Sequence, residues 1–166
     1  MNALQMKLEL QQVVSYFSLP SNKNGRISTW DLKQKKNLVL FFNHGVACPH
    51  CTSRLQEFAA SYPRFQELEA EIISISLDTV EKLNVFASRG KIVFPCLSDE
   101  NKEATEKYTH MDAGRKAPFP SVFITDRFGV LRYQQIAAEA NELLSSDEIL
   151  SWLLLIQTEC PECSHP

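Results

Sequence analysis

A chain of 166 residues that is 44% hydrophobic and 22% charged can build one globular domain with an apolar core, which excludes a disordered or fibrous protein. A net charge of −3, with no basic cluster beyond Lys33, Lys35 and Lys36, argues against nucleic-acid binding. No apolar run reaches transmembrane length, and the opening residues alternate polar and apolar instead of forming a secretory signal, so a cytoplasmic protein without membrane attachment is expected.

Residues 16–20 and 26–30 flank Asn24-Gly25, the strongest short turn signal, and predict an opening β-hairpin. Polar residues 31–37 lead into Leu38-Val39-Leu40-Phe41-Phe42, a continuous apolar run suited to a strand buried on both faces. A helix is predicted to start near Pro49, to carry Leu55, Phe58, Ala59 and Tyr62, and to break or kink near Pro63 before resuming through Phe65 and Leu68. Residues 71–78 read as the next buried strand. Thr79 then caps a helix with Val80, Leu83, Val85 and Phe86, closed by Gly90. This alternation of strand and helix implies a parallel sheet covered by helices.

Residues 92–97 form a short apolar stretch before a small polar helix at about 101–108. Residues 121–126 and 130–133, joined by a turn ending at Gly129, predict a second hairpin of antiparallel strands. Ser145 and Glu148 have capping-box spacing and open a final helix with Ile149, Leu150, Trp152, Leu153, Leu154 and Ile156. That helix is apolar nearly all round, which suits deep packing or a partner. No repeat, low-complexity tract or linker interrupts the chain. It reads as a single domain over 1–166, with a core at about 17–156 and a tail at 157–166.

Cys48-Pro49-His50-Cys51 lies between the first core strand and the first helix. A CxxC there is a redox motif: the first cysteine falls at a helix N-terminus, where free N–H groups and the macrodipole favour a thiolate, and the second lies one turn away. Half a zinc site and an inert buried pair are the alternatives. His50 would bring a positive charge or a hydrogen bond to the thiolate, or else stand exposed at the helix start. Five cysteines in a reducing compartment read as catalytic, metal-binding or buried thiols rather than as a disulfide framework. Cys96 reads as a core residue. Cys160 and Cys163 form a second CxxC past the last helix, a candidate redox relay, a weak candidate metal site with His165, or an inert tail open to oxidative damage.

With CPHC at a strand end and a proline before a later core strand, the chain resembles a thioredoxin-fold protein. FSLP, NGRIS and NLVLFF before the cysteines, then ISISLD, FPCLSD and VFITDRFGVLRY, resemble blocks of the peroxiredoxin (AhpC/TSA) family from about Phe17 to Trp152. The resemblance implies an α/β thioredoxin-like fold, a central mixed β-sheet flanked by helices with an N-terminal β-hairpin. It makes Cys48 the attacking cysteine and Cys51 the resolving one. Pro120 matches the cis-proline facing the CxxC in thioredoxin-like proteins, with Phe119 offering its backbone to a docked substrate beside Pro49; otherwise Pro120 reads as an edge-strand or turn proline. The Pro-His dipeptide resembles that of the oxidising disulfide donors of the bacterial periplasm.

The chain departs from the peroxiredoxin pattern at two points. Phe41 and Gly45 stand where the family carries the proline and threonine before its peroxidatic cysteine, and Pro120 stands where it carries an arginine. Arg54 and Arg115 are candidates to replace that arginine. The leading expectation is a thiol-dependent oxidoreductase that reduces peroxides or disulfides, needs no cofactor, and is regenerated by a thioredoxin-like or small-thiol reductant. The resemblance also allows a homodimer. The alternatives are a thiol-disulfide oxidoreductase without peroxidase activity, and a non-catalytic module that binds metal or a partner through its C-terminal CPEC.

Overall fold

In the computed structural model, which describes residues 4–159, the chain first folds into a hairpin of β1 (Ser18–Pro20) and β2 (Arg26–Ser28), with Leu19 opposite Ile27. Asn24 and Gly25 both take positive φ, 70° and 73°, which is the backbone such a turn demands and which this residue pair tolerates best. The predicted hairpin is present. Ahead of it, Gln11 donates to the Leu131 carbonyl and Leu131 to the Gln12 carbonyl, so the N-terminal segment runs along the second predicted hairpin.

The remaining elements follow as β3 (Asn37–Phe42), α1 (Pro49–Glu67), β4 (Ala70–Ser76), α2 (Val80–Gly90), β5 (Cys96–Ser98), α3 (Glu103–Tyr108), a small pair β6 (Met111–Asp112) and β7 (Ala117–Pro118), then β8 (Ser121–Thr125), β9 (Leu131–Ile136) and α4 (Ser146–Thr158). One sheet has the order β5-β4-β3-β8-β9; β3, β4 and β5 run parallel, whereas β8 and β9 are antiparallel to their neighbours. The sheet is therefore mixed, as expected.

β3 is the centre of this sheet, and its two-residue alternation divides the core. Val39 and Phe41 pack with Ile72, Val122 and Ile124 against Leu55 and Phe58 of α1, Leu83 of α2 and Leu153 of α4. Leu38, Leu40 and Phe42 point the other way, toward Ile73, Ile75, Phe123 and Tyr108 of α3. Both faces being covered is why this strand is apolar without interruption. Each fully buried phenylalanine contributes about 1.5–3 kcal/mol relative to exposure, and Phe41 and Phe42 each also meet a second ring edge-on, Phe58 and Phe123.

Three local expectations change. α1 neither breaks nor ends at Pro63; it continues to Glu67, with Pro63 exposed while Phe58 and Phe65 anchor the opposite face in the core. The left-handed residue that ends α2 is Lys91, at φ 54°, one position beyond Gly90. α4 is one-sided: Ile149, Leu150, Leu153 and Ile156 are buried, whereas Leu154 and Leu155 are exposed. Its capping box forms in both halves. Among the described residues, no helix is long and apolar enough to cross a membrane.

Candidate active site

β3 delivers the chain to the site. Past Phe42, Asn43 extends the strand by donating its N–H to Ile75, and its buried side chain donates to the Phe41 carbonyl and the Ser74 hydroxyl while accepting from the Gly45 N–H at 2.9 Å. The chain turns at Gly45, whose φ is +107°. A side chain there would collide with Asp78, because a Cβ would lie 2.6 Å from its Oδ2. That same oxygen accepts the Val46 N–H at 2.8 Å and the Ser76 hydroxyl at 3.2 Å. The threonine expected at this position by family resemblance is thus replaced by a glycine and a carboxylate brought from beyond β4.

Cys48 is the N-cap of α1. Its extended backbone leaves Sγ facing the first helical turn, where it accepts the Cys51 N–H at 3.3 Å; Pro49 takes the first helical position, where no N–H is needed. Cys48 is partly exposed and Cys51 fully buried, and both are free thiols. Cys51 Sγ accepts the His44 N–H at 3.4 Å. Burial, and then the neighbouring Cys48, push the Cys51 thiol far above its ordinary range, so it stays protonated.

The imidazole beside the dithiol is His44, with Nδ1 3.7 Å from Cys48 Sγ. The side chain is 3% exposed, and Nε2 lies 3.5 Å from Asp112 Oδ2 with no closer partner among the described residues. Arg115 donates to Nδ1 at 2.9 Å, which fixes the lone pair on Nδ1 and the proton on Nε2. Burial, followed by the charge of Arg115, holds the His44 pKa below its ordinary value, so the ring is neutral near pH 7. Arg115 also pairs with Glu139, whose carboxyl it keeps below the usual carboxylate range. The small β6–β7 hairpin and the segment after β9 thereby close over the dithiol.

The sequence candidates divide accordingly. Cys48, Pro49 and Cys51 stand where expected. His50 is exposed on the first turn of α1, and the ring against Cys48 Sγ is that of His44. Among the described residues no peptide bond is cis, which corrects the expectation for Pro120. Pro120 is buried and its carbonyl accepts the Ala137 N–H, extending the β8–β9 pairing in ordinary trans geometry. Phe119 does not offer a free backbone: its N–H donates to the His110 carbonyl and its carbonyl accepts the Ser121 hydroxyl. Arg54 is committed elsewhere, donating to the Ala140 and Leu143 carbonyls and pairing with Glu57, so it ties α1 to the start of α4. Arg115 is the arginine that reaches the site. Cys96 is buried in the core, and Cys160, Cys163 and His165 lie outside the described residues.

His44, Asp112 and Glu139 were not singled out from the sequence. His44 alone had a signal, its place four residues before Cys48 at the same strand end.

A model of the AhpC/TSA family matches residues 10–134. The chain belongs to the AhpC/TSA family. Its similar proteins include Peroxiredoxin 2 of Picrophilus torridus, 32% identical over 140 residues (80% of this chain, 68% of the relative), and Peroxiredoxin Q, chloroplastic, of Triticum aestivum, 30% identical over 126 residues (72% and 58%). A putative peroxiredoxin bcp of Helicobacter pylori is 32% identical over 102 residues (61% and 66%). The chain thus spans between 58% and 68% of the length of these relatives. Two crystal structures share the fold at 22% identity: Mycobacterium tuberculosis peroxidoxin BcpB (TM-score 0.79, covering 90% of this chain and 98% of that one) and Enterococcus faecalis AhpC (TM-score 0.80, 92% and 98%). The fold of this AhpC/TSA protein is thioredoxin-like, and the dithiol sits where its mixed sheet meets the first helix.

Proposed function

We propose that this AhpC/TSA protein is a thiol peroxidase working through a Cys48–Cys51 cycle. The observation that carries this reading is the pairing of a partly exposed helix-capping Cys48 with a buried, protonated Cys51 one turn away, inside a fold and family of peroxiredoxins. The Cys48 thiolate attacks one peroxide oxygen, the O–O bond breaks, and an alcohol or water leaves with the second oxygen and a proton, so that Cys48 becomes a sulfenic acid. Cys51 then attacks the Cys48 sulfur and expels water, leaving a disulfide. Two electrons and two protons from a thioredoxin-like or small-thiol reductant restore the dithiol.

Arg115 takes the part of the missing arginine in this reading. Its guanidinium is anchored by Glu139 on one side and on the other donates to His44 Nδ1, which is itself 3.7 Å from Cys48 Sγ. A cytoplasmic home and a homodimer belong to the same proposal. Sedimentation across a concentration series tests the dimer.

The deciding experiment follows thiol loss in the fully reduced chain against hydrogen peroxide and an organic hydroperoxide, beside Cys48→Ser. Fast loss that requires Cys48 supports the peroxidase. A rate no better than that of a free thiol moves the function to disulfide exchange with protein substrates. Under the peroxidase reading, Arg115→Gln slows peroxide consumption by about 10–100-fold while leaving disulfide closure intact.

A further inference from the structure

We infer that the reduced dithiol and His44 form a binding site for one zinc ion, with three protein ligands and an open fourth position. A ring nitrogen of His44 and the sulfurs of Cys48 and Cys51 lie within 4.8 Å of one another. Around tetrahedral zinc, with bonds of about 2.3 Å to sulfur and about 2.0 Å to nitrogen, neighbouring ligand atoms are roughly 3.5–3.8 Å apart. His44 Nδ1 and Cys48 Sγ already stand at 3.7 Å. The other two pairs lie within 4.8 Å, so closing the set on an ion shortens either by little more than about 1 Å.

The surroundings support the same site. Nδ1 carries the ring's lone pair, while the Nε2–H, 3.5 Å from Asp112 Oδ2 and without a closer partner among the described residues, awaits a carboxylate that would tighten as the metal draws charge from the ring. The His44 N–H on Cys51 Sγ and the Cys51 N–H on Cys48 Sγ are donors that each sulfur keeps once the metal has taken the place of its proton. Two thiolates and an imidazole select zinc over magnesium or calcium, which prefer oxygen ligands.

Arg115 is the competitor. Its guanidinium occupies the lone pair of Nδ1 at 2.9 Å in the metal-free site, yet its side chain is 45% exposed on the β6–β7 turn and can swing outward. Zinc entry displaces it and releases whatever protons the two sulfurs carry; no electrons are transferred. Once both sulfurs are ligands, neither attacks a peroxide nor closes a disulfide, so the ion and the oxidised state exclude each other. This inference does not depend on the peroxidase reading, because metal binding is measured without peroxide.

The test uses the full chain with Cys160→Ser and Cys163→Ser, reduced and anaerobic, so that the C-terminal pair contributes no ligand. Cobalt(II) should give one equivalent of tetrahedral spectrum with a thiolate charge-transfer band, and zinc should displace it stoichiometrically. Cys48→Ser or Cys51→Ser should abolish the band. His44→Gln should weaken zinc, measured against a chromophoric chelator, by more than the roughly 10–100-fold that loss of an outer-shell partner costs, and Arg115→Gln should tighten it several-fold. Absence of the band, or equal affinity in the His44→Gln and parent chains, overturns the proposal. Circular dichroism confirms that each variant is folded, and the opposite sign expected of Arg115→Gln keeps the test decisive if His44→Gln is not.

Discussion

Gly45 fixes the geometry on which Cys48 depends, and its constraint comes from a neighbour distant in sequence. A residue with a Cβ at φ +107° is strained, and the Asp78 carboxylate, 2.6 Å from where that Cβ would sit, leaves no room for relaxation without releasing the Val46 N–H. Gly45→Thr, which restores the residue that the family resemblance places here, should therefore lower stability by about 2–4 kcal/mol in urea titration and should not raise the peroxide rate. Asp78→Ala in the same chain should recover part of the loss by removing the collision. A Gly45→Thr variant as stable as the parent would show that the loop has another conformation open to it.

At the scale of elements, α1 carries the site and is held at several points. Its N-terminus is organised by Cys48, and Arg54 anchors it to the segment before α4. Pro63 interrupts only its solvent face, where the missing N–H and the ring cost helix stability but no core contact. Pro63→Ala should raise stability by about 2–2.5 kcal/mol, the interior-helix penalty of proline less the gain in unfolded-chain entropy, read from the shift in thermal midpoint. Conversely, Ser145→Ala removes the cap of α4 and leaves the Glu148 N–H without its acceptor. A loss of about 1 kcal/mol is expected in the same assay.

For the molecule as a whole, the pH dependence of stability should carry the mark of Glu71. Burial raises its pKa above the ordinary 4.5, although the Tyr62 hydroxyl and the Ile72 N–H both donate to it. Between pH 4.5 and that raised value the folded chain binds more protons than the unfolded chain, so this group's contribution to stability is full below 4.5 and falls as pH rises through the folded pKa. Glu71→Gln keeps an acceptor for both donors without the buried charge. Its stability should equal or exceed the parent's at pH 7, and the gap should shrink as pH falls toward 4; a gap that widens on acidification would contradict the assignment.

Local residues determined much of this protein. Asn24-Gly25 sets the hairpin turn, Leu38-Val39-Leu40-Phe41-Phe42 sets the doubly covered strand, Thr79 and Ser145 set helix starts, and the CxxC after β3 names the dithiol and its place at a helix N-terminus. These are short-range effects of turn conformation, burial period and capping, so they can be read along the chain. Tertiary structure decided which groups surround the dithiol and its loop. His44 was preferred to His50 because the β3 loop turns its ring inward; Arg115 was preferred to Arg54 because β6 and β7 fold over that loop; Asp78, Asp112 and Glu139 arrive from three further segments. Such contacts join residues tens of positions apart, and only the closure of the sheet and the packing of its connecting hairpins bring them within reach of one another.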